Sequence, residues 1–198
     1  MNDHTKATFT HVPVELSKAY RLINHGPTVL VTSAHAGRRN IMAAAWNTGL
    51  DFSPAKVVVV IDKNTWTRAL VEASVVFALN VPSRALAQAT LAVGSVSGRT
   101  ITEGDKFSRC GLKTFAATKI DAPLVEGCVG WMECKVIDEP HNQKTYDLFI
   151  GEVVAAWADP RVFSDGHWHF TDDDSLRTIH YIAGGNFMSI GESFEVKS

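Results

Sequence analysis

Residues 40–68 gather side chains that could do chemistry together. The segment Asn40, Ile41, Met42, Ala43, Ala44, Ala45, Trp46 is apolar with a polar residue at its head, a β-branched run occupies 56–61, and the polar turn Asp62, Lys63, Asn64, Thr65, Trp66, Thr67 follows. That turn opens a predicted helix. A cation, hydroxyls and the free N–H groups of a helix N-terminus meet there, which suits an anionic phosphate. The three alanines and Trp46 form a narrow apolar surface against which a planar ring can lie. No G-x-G-x-x-G or G-x-x-x-x-G-K-[ST] loop is present, which argues against a Rossmann or P-loop nucleotide site.

Further motifs recur in order: Gly94, Ser95, Val96, Ser97, Gly98, Arg99 with Asp105, Lys106, Phe107; then Ala122, Pro123, Leu124, Val125, Glu126, Gly127, Cys128; then Leu148, Phe149, Ile150, Gly151, Glu152, Val153; and finally His180, Tyr181, Ile182, Ala183, Gly184, Gly185, Asn186, Phe187. Together with 40–68 this series resembles the flavin reductase-like, FMN-binding split-barrel family that includes the flavoredoxins, over about residues 21–191. The resemblance implies a mainly β fold with helical inserts, an FMN-binding split β-barrel formed as one domain over 1–198. It implies FMN as cofactor, held by Asn40, Ile41, Met42, Ala43, Ala45, Trp46, Asp62, Lys63, Asn64, Thr65, Thr67, Ser97, Gly98, Arg99 and Phe187. The implied activity is flavin reduction with NADH or NADPH as co-substrate. No catalytic acid, base or metal ligand is named, because nicotinamide donates hydride directly to a stacked flavin. Alternatives are a flavoredoxin-like carrier fed by a protein partner, a non-catalytic flavin-binding module, and a flavin-free member. A homodimer is implied, with strands 57–61 and 148–154 as shared surfaces, along with a redox protein or flavin-dependent monooxygenase as recipient of electrons. Two departures stand out: Ala43 occupies a position where relatives often carry a hydroxyl, and Tyr146, Asp147 precede the Phe-Ile-Gly-Glu strand where a His is common.

The remaining composition narrows the function. At 198 residues the chain can bury a core without disulfide staples. A net charge of -2 offers no broad basic surface for nucleic acid. Cys110, Cys128 and Cys134 lack C-x-x-C spacing, no apolar leader is visible, and no run approaches a membrane span, so a cytoplasmic protein without membrane contact is expected. Alternation places Cys128, Met132 and Cys134 on one strand face as buried small hydrophobes. His167 and His169 share a strand face without a third ligand, and Asp172, Asp173, Asp174 lack the pattern of a calcium loop.

The elements that must position these residues follow from punctuation and period. A helix begins after Pro13, carries Val14, Leu16, Ala19, Tyr20, Leu22 and Ile23, and stops at Gly26 and Pro27. Strands are expected at 28–33 and 41–48, around a turn at 35–39 that puts Asn40 at the hairpin mouth. A strand at 56–61, a helix at 66–74, a strand at 75–81 and a helix capped by Ser83 and ending near Gly94 come next. Two long strands, 128–138 and 146–159, are joined by a polar turn at 139–144. Each site residue also has an ordinary reading: Asn40 as a turn residue, Trp46 and Phe187 as core, Asn64 or Thr65 as helix caps, and Lys63, Arg99 and Lys106 as surface cations.

Overall fold

The computed structural model describes residues 10–22, 26–170 and 172–196. It begins with β1 (Val12–Pro13), a 3-10 turn at Leu16–Leu22, β2 (Val29–His35), β3 (Arg38–Ala44), β4 (Asn47–Phe52), β5 (Ala55–Val60), α1 (Trp66–Ser74) and β6 (Val76–Pro82). Then follow α2 (Ala87–Ser95), α3 (Lys106–Arg109), β7 (Thr114–Ala116), β8 (Pro123–Val125), β9 (Cys128–Ile137), α4 (Pro140–Tyr146) and β10 (Leu148–Ala158). Two small hairpins follow: β11 (Phe163–Ser164) with β12 (His167–Trp168), then β13 (Ile179–Ala183) with β14 (Asn186–Ser189).

The main sheet is antiparallel in the order β3-β2-β6-β9-β10-β5-β4, with β1 added beside β10. Its two edges, β3 and β4, are separated in sequence only by Ala45 and Trp46. The three steps from Ala44 to Asn47 span at most ~11 Å, so the sheet must curl until its edges lie near each other. The hydrogen-bonded path stays open there, and the covalent chain bridges the gap. This is the split barrel, mainly β with helical inserts.

Its lumen holds one apolar cluster, in which Val31, Val57, Val59, Phe77, Leu79, Met132, Phe149 and Val153 are buried. A second cluster lies on the outer face of β2, β6 and β9, where Leu30, Ala78 and Trp131 pack against Val93 of α2, Phe107 of α3 and Leu124 of β8. Trp131 is fully buried and satisfies its indole N–H on the Val125 carbonyl at 2.9 Å. Gly151 explains the glycine of its motif: a Cβ there would stand 2.5 Å from Phe77 Cζ.

Several expectations shift. The first helix is a 3-10 turn, and Ile23 and the side chain of Tyr20 lie outside what is described. The β2–β3 turn is only Ala36 and Gly37, both at positive φ, as a two-residue hairpin with right-handed strand twist requires. Asn40 therefore sits inside the ladder opposite Ser33. The expected strand 41–48 breaks at Ala45, because residues on either side of it belong to opposite edges of the sheet. Ser83 does not cap with its hydroxyl, which donates to the Gly127 carbonyl at 3.2 Å instead. The polar turn 139–144 is helix α4 with Pro140 at its start, where a missing N–H costs nothing, and Asp147 ends it at φ 55. Cys128 and Cys134 are both buried and free but do not share a face: Cys128 is in the outer cluster, Met132 and Cys134 in the lumen. A bulge causes this, since Val81 opposes Gly130 while Pro82 opposes Cys128, and one extra residue inverts the alternation.

Candidate functional site

Strand β3 is the organising element. Being an edge strand, it keeps one side of its backbone off the ladder. Helix α2 packs across it so closely that a Cβ on Gly94 would lie 3.9 Å from that of Ala43. Two cavities open along β3, one at each end.

At its C-terminal end a cavity of about 240 Å³ is lined by residues 43–45, by Thr90, Leu91, Gly94 and Ser95 of α2, and by Thr28, Tyr181 and Phe187. No lining side chain is charged. Hairpin β13–β14 forms one wall, held there by Thr28, whose N–H donates to the Ile179 carbonyl at 2.9 Å and whose hydroxyl accepts the Tyr181 N–H at 2.7 Å. Tyr181 and Phe187 then meet edge to face, their ring centres 5.2 Å apart. Thr90 is 1% exposed, yet its hydroxyl finds no partner among the described residues. A helical threonine ordinarily bonds back to a carbonyl one turn earlier, and a buried hydroxyl left without a partner costs ~1–3 kcal/mol.

At the N-terminal end of β3 a cleft of about 560 Å³ gathers Arg38, Arg39, Trp66, Gly98, Asp105 and Lys106, and a neighbouring hollow adds Arg99 and Ala69 to the same wall. Arg39 is committed to Asp105, to the Thr114 hydroxyl at 2.8 Å and to the face of Phe107. Burial pushes the Asp105 carboxyl up, but the Ser108 N–H and Arg39 outweigh it and hold the group below its ordinary value. Arg38, Arg99 and Lys106 form no ion pair among the described residues; Arg38 lies over the Trp66 ring at 5.6 Å. Lys106 is only 5% exposed, and burial lowers its ammonium from the usual lysine value, with Cys110 opposing weakly. An uncompensated buried cation in a cleft with two further free cations is a site of positive potential.

Beneath this cleft Asn40, 2% exposed, donates to the Thr67 hydroxyl at 2.9 Å and leaves its amide oxygen without a partner. That oxygen lies against Gly98, where a Cβ would come within 2.3 Å of it and 2.6 Å of Trp66. Glycine at 98 lets the backbone close over Asn40. The Thr67 hydroxyl can donate or accept, so either end of the amide can satisfy it.

The sequence-selected residues divide accordingly. Gly98 and Arg99 line the basic wall, with Asn40 and Thr67 under it; Ala43, Ala45 and Phe187 line the uncharged cavity. The side chain of Ile41 is fully buried in the outer cluster, and Met42 packs against the lumen. Trp46 is neither core nor cavity wall: it is 76% exposed between β3 and β4. Asp62, Lys63 and Asn64 form an exposed turn in which the Asp62 carboxylate accepts the Asn64 N–H at 2.7 Å. Thr65 caps α1 through the Arg68 N–H at 3.3 Å, and exposed Ser97 accepts the Arg99 N–H at 3.3 Å. Four lining residues are not among those selected from the sequence: Trp66 and Tyr181, which lie inside its motifs, and Arg38 and Thr90, which lie outside them. Only Thr90 carried a local signal, a hydroxyl in the small-residue helix Ala87–Ser95.

Asp147, directly before the Phe-Ile-Gly-Glu strand, binds Arg68. That guanidinium also reaches Glu72, the Ile61 and Gln143 carbonyls and the face of Phe149. The pair ties α1 to the start of β10. The histidines of β12 and its flank are occupied locally, His167 by the Asp165 carbonyl and His169 by the Ser164 hydroxyl, and no trio of metal-binding side chains occurs among the described residues. No described helix is long and apolar enough to cross a membrane.

The model of the flavin reductase like domain matches residues 21–176. The chain belongs to that family. The FMN-binding domain of a flavin reductases-like enzyme from Shewanella baltica OS155 is similar at 51% identity with a TM-score of 0.91, over 95% of this chain and 98% of that one. An uncharacterized protein of Escherichia coli (strain K12), YddH, is 47% identical over 184 residues, covering 91% and 95% of the two chains. The flavoredoxin of Desulfovibrio vulgaris (Miyazaki F) shares the fold at 24% identity and a TM-score of 0.73, over 99% and 96%. The architecture is thus the flavin reductase-like FMN-binding fold. Its two cavities suit such a ligand: an uncharged seat with an orphaned hydroxyl for a planar ring, and a cationic cleft with a glycine-permitted wall for a phosphate.

Proposed function

We propose that this chain binds FMN along β3 and works as an NAD(P)H-dependent flavin reductase. The observation that carries the reading is the placement of an uncharged cavity and a cationic cleft at opposite ends of one free strand edge. Asn40, which lies against Gly98 of the cleft, and Ala43, in the cavity wall, are three residues apart, about 10 Å along the strand, a length that a ribityl chain can bridge. Arg38, Arg99 and Lys106 would neutralise the phosphate. Ala43, Ala45, Leu91, Tyr181 and Phe187 would bound the ring and keep water from it. Bound FMN supplies the electron-carrying chemistry that no side chain here offers. The residues themselves bind, orient and shield, and none is assigned a proton-transfer role.

A second reading, a carrier fed by a protein partner, draws support from an exposed apolar rim. Trp46, Leu50 and Phe52 stand at 76, 52 and 65% exposure beside the uncharged cavity's Ala45. We propose that this rim is also where two copies of the chain meet. Strands 57–61 and 148–154 contribute one face only, because Val57, Val59, Ile61, Phe149 and Val153 are buried in the chain's own core.

The test is anaerobic. Purified protein is loaded with FMN, and NADH and NADPH are added in turn while the visible flavin bands are followed. Bleaching by either nicotinamide supports the reductase; bleaching only by dithionite favours the carrier. Failure to retain FMN rejects both.

A further inference from the structure

We propose that Thr90 is the hydrogen-bonding residue of the ring seat, fixing the polar edge of an uncharged planar ring held between α2 and the β13–β14 hairpin. The inference rests on the flavin reading of the same site and adds a residue and an orientation to it.

Thr90 is 1% exposed, lines the cavity, and has its hydroxyl unpartnered among the described residues. Neighbouring hydroxyls are spoken for: Ser95 donates to the Leu91 carbonyl at 2.9 Å, and the Thr28 oxygen accepts the Tyr181 N–H. Residues 43–45, Leu91, Gly94 and Phe187 bring no side-chain hydrogen-bonding group, and half-buried Tyr181 brings a phenol on the hairpin wall. Among the groups that line this space, Thr90 alone carries a buried hydroxyl without a partner among the described residues. Uncompensated, that hydroxyl favours ligands with a carbonyl or ring N–H at the matching edge and rejects those without. About 240 Å³ exceeds the engineered cavities of roughly 150 Å³ that take benzene, so part of a larger ring system fits. The absence of charge among the lining side chains places the ligand's ionic group elsewhere, and the cationic cleft lies at the other end of β3.

Thr90→Val keeps shape and removes the hydroxyl; Thr90→Ser keeps the hydroxyl. Dissociation constants for FMN and for riboflavin, which lacks the phosphate, are measured on wild type, both variants and Arg99→Ala, with thermal unfolding as a check on folding. The expected result is a loss of roughly twofold to tenfold in Thr90→Val, equal for both ligands. Thr90→Ser should restore affinity, and Arg99→Ala should weaken FMN alone. The visible bands and midpoint potential of the flavin should move in Thr90→Val and return in Thr90→Ser, which a purely structural threonine would not produce. A folded Thr90→Val with wild-type affinities, bands and potential overturns the role of Thr90 while leaving the flavin site standing. A loss confined to FMN overturns the orientation. Wild-type protein that takes up neither ligand overturns the flavin reading and this inference with it.

Discussion

Lys106 carries a cost that the fold retains. Its side chain is largely buried with no ion pair among the described residues, and burial lowers its folded-state affinity for a proton below the ordinary 10.5. Because the folded value is depressed, the unfolded chain binds more protons in the interval between the two values. Stability should therefore rise as pH climbs through that interval toward 10.5 and be lowest below it. Urea unfolding across this range should show the rise in wild type and its loss in Lys106→Met. The same substitution should stabilise the protein near neutrality while weakening FMN, a trade common at binding sites. Equal stability and equal affinity in the two proteins would contradict the assignment. Gly98 makes the opposite case. A methyl group there lands 2.3 Å from the Asn40 amide oxygen and 2.6 Å from Trp66, both in well-filled surroundings. Gly98→Ala should cost about 1–3 kcal/mol in denaturant and loosen the cationic wall, read as weaker FMN retention.

At the scale of elements, the Arg68–Asp147 pair joins α1 to the turn before β10. Burial works against the Arg68 charge, and the hydrogen bonds it donates to Glu72 and Asp147 overcome it, leaving the guanidinium more firmly protonated than usual. Asp147 sits at φ 55, a conformation asparagine also tolerates, so Asp147→Asn removes charge with little backbone strain. Arg68 keeps Glu72 and two carbonyls, and Asp147 is partly solvated, so the expected loss is about 1–2 kcal/mol rather than the 3–5 of a stranded buried ion. Equilibrium unfolding measures it. Since α1 also presents Trp66 to the cationic cleft, FMN release should quicken in the same variant.

For the whole molecule, the exposed face of β4 sets the expectation. Thr48, Leu50 and Phe52 are exposed at alternate positions of this edge strand, and Trp46 is exposed just before it, a pattern that exposed edges otherwise avoid. Sedimentation should give twice the chain mass of 21.6 kDa, and Leu50→Glu should return it to one. A monomeric wild type would remove the dimer and leave the rim to another partner.

Local chemistry in the sequence was enough for α1, whose predicted span 66–74 matches the observed Trp66–Ser74, because its cap and period are local properties. The β-branched runs that become β2 and β5 were legible for the same reason, as was the family through its ordered motifs. Local signals fail where the deciding neighbour is far away. Helix α4 reads as a polar turn until it is seen packing near β10, and Trp46 reads as core because its exposure depends on which sheet edge follows it. Cys128 changes face through a bulge set by its partner strand. The site shows the same division. By itself the sequence determined the donor types, the glycines and the order of segments, since these are chosen residue by residue. Only the tertiary structure decided that Arg38, Gly98 and Lys106 form one cleft and that Thr90 and Phe187 line another, because curling a sheet brings together residues that no spacing along the chain relates.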